Sequence, residues 1–138
     1  MPAQTKFNNF TKDLVDGIHA FGTHTFKALL TNSAPVAATH DEKADLTEIS
    51  AGNGYSAGGP TITMSTSTSS GTAKVTATDA TITAAGGSIG PFRYVVLYND
   101  TSTGDRLITY IDYGSSITLA DGESFTIDFD GSAGLLTI

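Results

Sequence analysis

The sequence predicts a mainly β protein, an antiparallel β-sandwich or jelly-roll-like barrel with one short N-terminal helix, built as a single domain over residues 1–138. Three observations carry that prediction. From Gly86 to Ile138 the chain alternates β-branched and aromatic residues with turn dipeptides at close intervals. Charged residues make up only 15% of the chain, which is rich in Ser, Thr and Gly, as short strands joined by tight turns require. An apolar stripe of helical period is found only near the N-terminus. A chain of 138 residues buries roughly two thirds of its unfolded surface, enough for one core.

Taken in order, Phe7, Phe10, Leu14, Ile18 and Phe21 recur at steps of three and four and predict a helix over residues 5–21. Thr5 or Asn8 is placed to cap it and Gly22 to end it, with Gly17 as an internal cost of about 1 kcal/mol relative to Ala. The β-rich body then runs over 23–138. Thr23 to Thr31 alternates as a half-buried strand does, and Asn32 to Pro35 breaks it. Residues 36–50 read as loop, with one helical turn open to Glu42–Glu48. Asn53-Gly54 and Gly58-Gly59-Pro60 make residues 51–60 a loop anchored by Tyr55. Ile62–Ser69 and Thr72–Ala80, joined at Ser70-Gly71, form a weakly apolar hairpin.

Gly86-Gly87 and Gly90-Pro91 bracket a bend that feeds Phe92–Tyr98, a strand apolar enough to be buried on both faces. Arg106–Tyr113 returns beside it. Ile117–Leu119 follows, then the alternation of Phe125, Ile127 and Phe129 against Ser124, Thr126 and Asp128. Asp130-Gly131 turns the chain into a last strand, Leu135–Ile138.

Several functions are disfavoured by the residues present. A net charge of −7 and seven scattered basic residues do not make a nucleic-acid surface. There are no cysteines, so disulfides and thiolate metal sites are impossible. Met1–Phe21 lacks the apolar run of a signal peptide or membrane span, and the protein is expected to be made in a cytoplasm without engaging a membrane. Gly86-Gly87-Ser88-Ile89-Gly90 matches the hydrolase pattern G-x-S-x-G, but Pro91 and a strand follow where a helix is needed, and no histidine occurs after His40. His19 and His24 are five residues apart, not the four that point two ligands one way, and Asp128-Phe129-Asp130-Gly131 lacks the distal Glu of a calcium loop. The acidic residues of 41–48 read as a solvated face. The sequence is therefore read as non-enzymatic, with no cofactor and no metal.

Glu48-Ile49-Ser50-Ala51-Gly52-Asn53-Gly54-Tyr55, the run GGSIGPFRYVVLYND from Gly86 to Asp100, and YGSSITLADGESFTIDFD from Tyr113 to Asp130 resemble small virion proteins of tailed bacteriophages. The opening NNFTKDLVDGIHAFGTHTFKALLTNSAP is similar too. The resemblance implies a virion structural protein, best suited to a capsid decoration or cement subunit that binds the outer face of the assembled shell. The implied partner is the major capsid protein, and the implied state a homo-oligomer, trimer first and dimer second. A tail or neck component is the alternative. A glycan-binding attachment module, with Tyr55, Tyr94, Tyr98, Tyr110 and Tyr113 as stacking platforms, is the third reading. Large apolar groups on a terminus or loop are either core or interface, and Phe92 to Phe129 already supply a core. Phe7, Phe10, Leu14 and Tyr55 are accordingly the candidate protein-interface residues.

Overall fold

The structure, a computed structural model, describes residues 3–130 and 134–137. The expected turn residue Gly131 and the chain end Ile138 lie outside the described residues. Among the described residues, ten strands and one α-helix, with a 3-10 turn at Lys43–Asp45, follow in the order β1 (Gln4–Lys6), α1 (Phe10–Val15), β2 (Phe26–Thr31), β3 (Thr61–Ile62), β4 (Met64–Ser69), β5 (Thr72–Ala77), β6 (Ala80–Thr83), β7 (Ile89–Asn99), β8 (Leu107–Leu119), β9 (Ser124–Ile127) and β10 (Leu136–Thr137). They pair antiparallel throughout, in sheets ordered β1-β8-β7-β2-β3, β10-β5-β4 and β6-β9. The fold is mainly β and sandwich-like, as the sequence predicts.

The principal core lies between the five-stranded sheet and the two smaller ones. Phe26, Ala28, Leu30, Val95, Leu97, Ile108 and Ile111 meet Val75, Ala77, Ile82 and Ile127 across it. Phe92, fully buried, sits edge-on to Phe125 with ring centroids 5.1 Å apart. The opposite face of the large sheet is covered as well: Leu29, Val96, Tyr98 and Leu107 pack with Phe7 and Leu46. β7 is thus central in its sheet and buried on both faces, which accounts for its unbroken apolar run.

Four expectations need correction. The helix spans only Phe10–Val15, because Gln4–Lys6 is drawn off to pair with the edge of β8 (Gln4 opposite Ile111) and Gly17 stops the helix from behind. Gly17 adopts φ +81°, with Gly17 N–H donating to Leu14 O and Ile18 N–H to Asp13 O, the paired bonds that close a helix C-terminus. The residue that looked like an internal liability is the terminator, and Gly22 plays no such part. Asn9, not Thr5 or Asn8, occupies the N-cap position.

β2 is shorter than Thr23–Thr31 and is buried at five of its six residues rather than half-buried. The reason is remote in sequence, since Leu46 packs on its second face. The Thr-rich pair forms the expected hairpin, with Ser70 at φ +49° and Gly71 at φ +81° in a tight two-residue turn. Its outer ends, however, leave for other sheets: Ile62 joins β3 against Phe26, and Ala80 joins β6 against Ile127. Finally, Arg106–Tyr113 and Ile117–Leu119 are one continuous strand. β8 carries three extra residues between the pairs Tyr94–Asp112 and Phe92–Ile117, a bulge centred on Gly114 at φ +86°.

Candidate functional site

The densest polar constellation lies where α1, the 36–50 segment and the β7–β8 turn converge. Asp13, on the inner side of α1, is only 5% exposed. Arg106, at the start of β8, donates to it through both Nε (2.9 Å to Oδ2) and Nη2 (3.2 Å to Oδ1), the two-pronged geometry that suits a guanidinium and a carboxylate. Its third arm donates from Nη1 to Glu42 Oε1 at 3.1 Å. Hydrogen bonding to Asp13 above all, opposed by burial, holds the Arg106 guanidinium above its ordinary range. One cation therefore fastens the N-terminal helix, the acidic segment and the central hairpin together.

Beside it, Asn99 is fully buried at the end of β7. Its Oδ1 accepts from the N–H groups of Thr101 (3.0 Å) and Ser102 (3.3 Å), which organises the β7–β8 turn and fixes which way the amide faces. The Nδ2 group then points at His19 Nδ1 (3.1 Å) and His24 Nδ1 (2.9 Å), so both imidazoles act as acceptors there. His19 stands among Phe10 and Phe21, 7% exposed, with its Nε2 buried and unpaired. Burial, which penalises the imidazolium, lowers its pKa from 6.5 to about 4; His24 and Arg106 push the same way and Asp13 opposes them. A cleft of about 440 Å³ opens over this junction, lined by Asp13, Ile18, His24, Ser102 and Arg106 among others.

A second polar knot ties down the glycine-rich loop. Tyr55 O–H donates to Glu48 Oε2 at 2.6 Å, and its oxygen accepts from Leu30 N–H at 3.0 Å. Gly58 N–H also donates to Glu48 Oε2 (2.6 Å), while Tyr98 O–H donates to Gly58 O (2.6 Å). Burial first, and the Glu48 carboxylate second, push the Tyr55 phenol well above its usual range. Tyr55 is the loop anchor that the sequence predicts. Of the remaining acids of the 41–48 run, Glu42 stays part-exposed beside Arg106 and Asp45 faces solvent while bonding to the local backbone. Asp45 accepts from the N–H groups of Asp41 and Glu42, which keeps its carboxyl below the usual range.

The candidate interface residues fare differently from expectation. Phe7, Phe10 and Tyr55 are 1%, 2% and 3% exposed, inside this chain's own core, and Leu14 is half-buried against it. Phe7 and Phe10 offer no free surface because β1 and α1 fold back onto the sheet instead of forming an arm, and Tyr55 offers none because its loop is tied down to Glu48 and Leu30. Among the described residues the large apolar groups that do face outward are Val15 (85%), Ile18 (37%) and Val36 (45%). Ile18 was expected on the buried stripe and escapes it because Gly17 turns the chain. The tyrosine platform is also depleted: Tyr55, Tyr94 and Tyr98 are buried, and the Lys43 ammonium stands 5.4 Å from the Tyr98 ring. Ser88 lies in the approach to β7, its carbonyl accepting from Asn53 Nδ2 at 2.9 Å.

Arg106, Asp13 and Asn99 are the side chains of this constellation that sequence reasoning missed. Only Asn99 carries a local signal, as the first residue of a polar stretch, Asn99–Asp105, that separates two apolar runs. Among the described residues no three His, Asp or Glu side chains gather as a metal site, and no helix is long and apolar enough to cross a membrane. No protein-family model, curated protein or solved structure matches the chain.

Proposed function

We propose that this chain is a structural protein of a tailed-bacteriophage virion, a decoration or cement subunit that binds the outer face of the assembled capsid and stabilises it. The observation that carries the reading is how the polar chemistry is deployed. Arg106, Asp13, Glu42, Glu48 and Tyr55 are each engaged in tying one segment of the chain to another. That is the construction of a brace, and it agrees with the resemblance of Gly86–Asp100 and Tyr113–Asp130 to phage virion proteins. The partner is the major capsid protein, and Val15 at the end of α1 with Ile18 just beyond it replaces Phe7 and Phe10 as the apolar contact. Many modest contacts repeated over a lattice then hold by avidity.

The test is to add the purified chain to capsids lacking it and to image them by electron microscopy. Density over the shell surface at hundreds of copies per particle, with a raised capsid melting temperature, is the expected result. Density confined to tail or neck, at tens of copies or fewer, would transfer the protein to that station. Absence of binding together with a positive glycan array would favour the attachment module.

A further inference from the structure

β4 is a sheet edge with none of the features that normally keep an edge from pairing. It has β5 on one side and no partner strand on the other among the described residues. It is six residues long, whereas the other strands with an open side, β1, β3, β6, β9 and β10, run two to four. Natural edges are blunted by lysine, proline, bulges or shortness. Met64–Ser69 contains no charge and no proline, its register with β5 is unbroken, and five of its six residues are exposed.

The direction of its free backbone groups follows from the turn. In a two-residue hairpin the residues flanking the turn, Ser69 and Thr72, exchange main-chain bonds, and bonded pairs then alternate along the ladder. Ser65, Ser67 and Ser69 thus point their N–H and C=O groups at β5. Met64, Thr66 and Thr68 point theirs outward.

We infer that β4 pairs antiparallel with β4 of a second copy of this chain about a two-fold axis at Thr66. That axis stands perpendicular to the sheet, so it keeps each face on its own side. It sets Thr66 opposite Thr66, Ser65 opposite Ser67 and Met64 opposite Thr68 of the second copy. At Thr66 and at Ser65 opposite Ser67, hydroxyl residues then face hydroxyl residues, a pairing this chain already uses internally: Thr81 Oγ1 lies 3.1 Å from Thr126 Oγ1, and Thr83 Oγ1 2.8 Å from Ser124 Oγ. Charge selects the same occupant. The chain carries −7 overall, yet between residues 49 and 92 only Lys74 and Asp79 are charged. Two copies can approach through this region without the repulsion that opposes contact elsewhere. The result is one sheet continuous across the dimer, independent of whether the particle it serves is a capsid.

Because the chain has no cysteine, the full-length protein tests this cleanly. Sedimentation velocity over a concentration series should show a monomer–dimer equilibrium. Thr66→Pro removes an outward N–H without touching the β4–β5 ladder, so it should raise the dimer dissociation constant roughly tenfold or more while leaving the circular dichroism spectrum unchanged. Under mild oxidation Thr66→Cys should run as a covalent dimer, and Thr72→Cys, on the inner strand, should stay monomeric. A wild-type monomer at every concentration overturns the inference. So does a trimer, which a self-paired edge cannot close, or a dimer that Thr66→Pro leaves intact and Thr66→Cys fails to cross-link.

Discussion

β7 and β4 are both antiparallel strands in one small protein, but they sit at opposite ends of its range of burial. β7 has β8 and β2 on its two edges and a packed core on each face, and Val95, Val96, Leu97 and Tyr98 are 2% exposed or less. β4 has one neighbour, and its serines and threonines face solvent. The difference separates what holds the fold from what is left available. Burial of apolar area stabilises β7, whereas β4 depends on its hairpin turn and backbone ladder, so its chemistry can vary at little cost to the fold.

The comparison breaks most readily at Phe92. Phe92→Ala empties a fully buried site against Phe125 and should lower the unfolding free energy by about 3–5 kcal/mol in denaturant titration. Thr68→Ala, on the exposed hairpin, should change it by less than about 0.5 kcal/mol. Equal losses would erase the distinction. Arg106→Met comes next. It strands the Asp13 carboxylate in the interior and should cost about 3 kcal/mol, with Asp13→Leu in the same chain restoring much of the loss.

How much of this was legible from the sequence depends on whether the cause is local. The Ser70-Gly71 turn, the β7 run and the alternation around Ile127 are written in neighbouring residues and were readable. β1 was not, because Gln4-Thr5-Lys6 becomes a strand only through β8, more than a hundred residues away. The helical stripe was real at Phe10 and Leu14 but could not reveal that Gly17 would end it. The same holds for the site. Tyr55 stood out as the large aromatic of a glycine-rich loop, and it does anchor that loop. Asp13 and Arg106 lie 93 residues apart, and an ion pair leaves no periodicity to read. Phe7, Phe10 and Tyr55 were expected at an interface and lie in this chain's own core, because apolarity alone does not say whether this chain or a partner covers a residue.

Acid adds a third contrast, since it acts on the frame and spares the hairpin. His19 titrates at about 4 when folded against 6.5 ordinarily, so the unfolded chain takes the proton first. Its contribution is complete above pH 6.5, falls as pH drops towards 4 and levels off below, a loss of up to about 3 kcal/mol. His19→Phe should flatten that part of the stability profile; an unchanged slope would exclude His19 as its source. A last comparison sets side by side two glycines with nearly the same φ, +80° at Gly59 and +81° at Gly71. A Cβ at Gly71 meets open space, and Gly71→Ala should cost only the left-handed penalty of about 1 kcal/mol. A Cβ at Gly59 would overlap the Ala28 carbonyl of β2, so Gly59→Ala should cost about 2 kcal/mol more by thermal melting.

Amide hydrogen exchange followed by NMR at low and high protein concentration tests the division between frame and edge most directly. The amides of Val95, Val96 and Leu97 should exchange slowly, only through global unfolding, at both concentrations. Those of Thr66 and Thr68 should exchange fast when the protein is dilute and become protected when it is concentrated, while Ser65 and Ser67, bonded to β5, change far less. Thr66 and Thr68 amides that exchange at one rate at both concentrations, or β7 amides no slower than those of β4, would contradict the account.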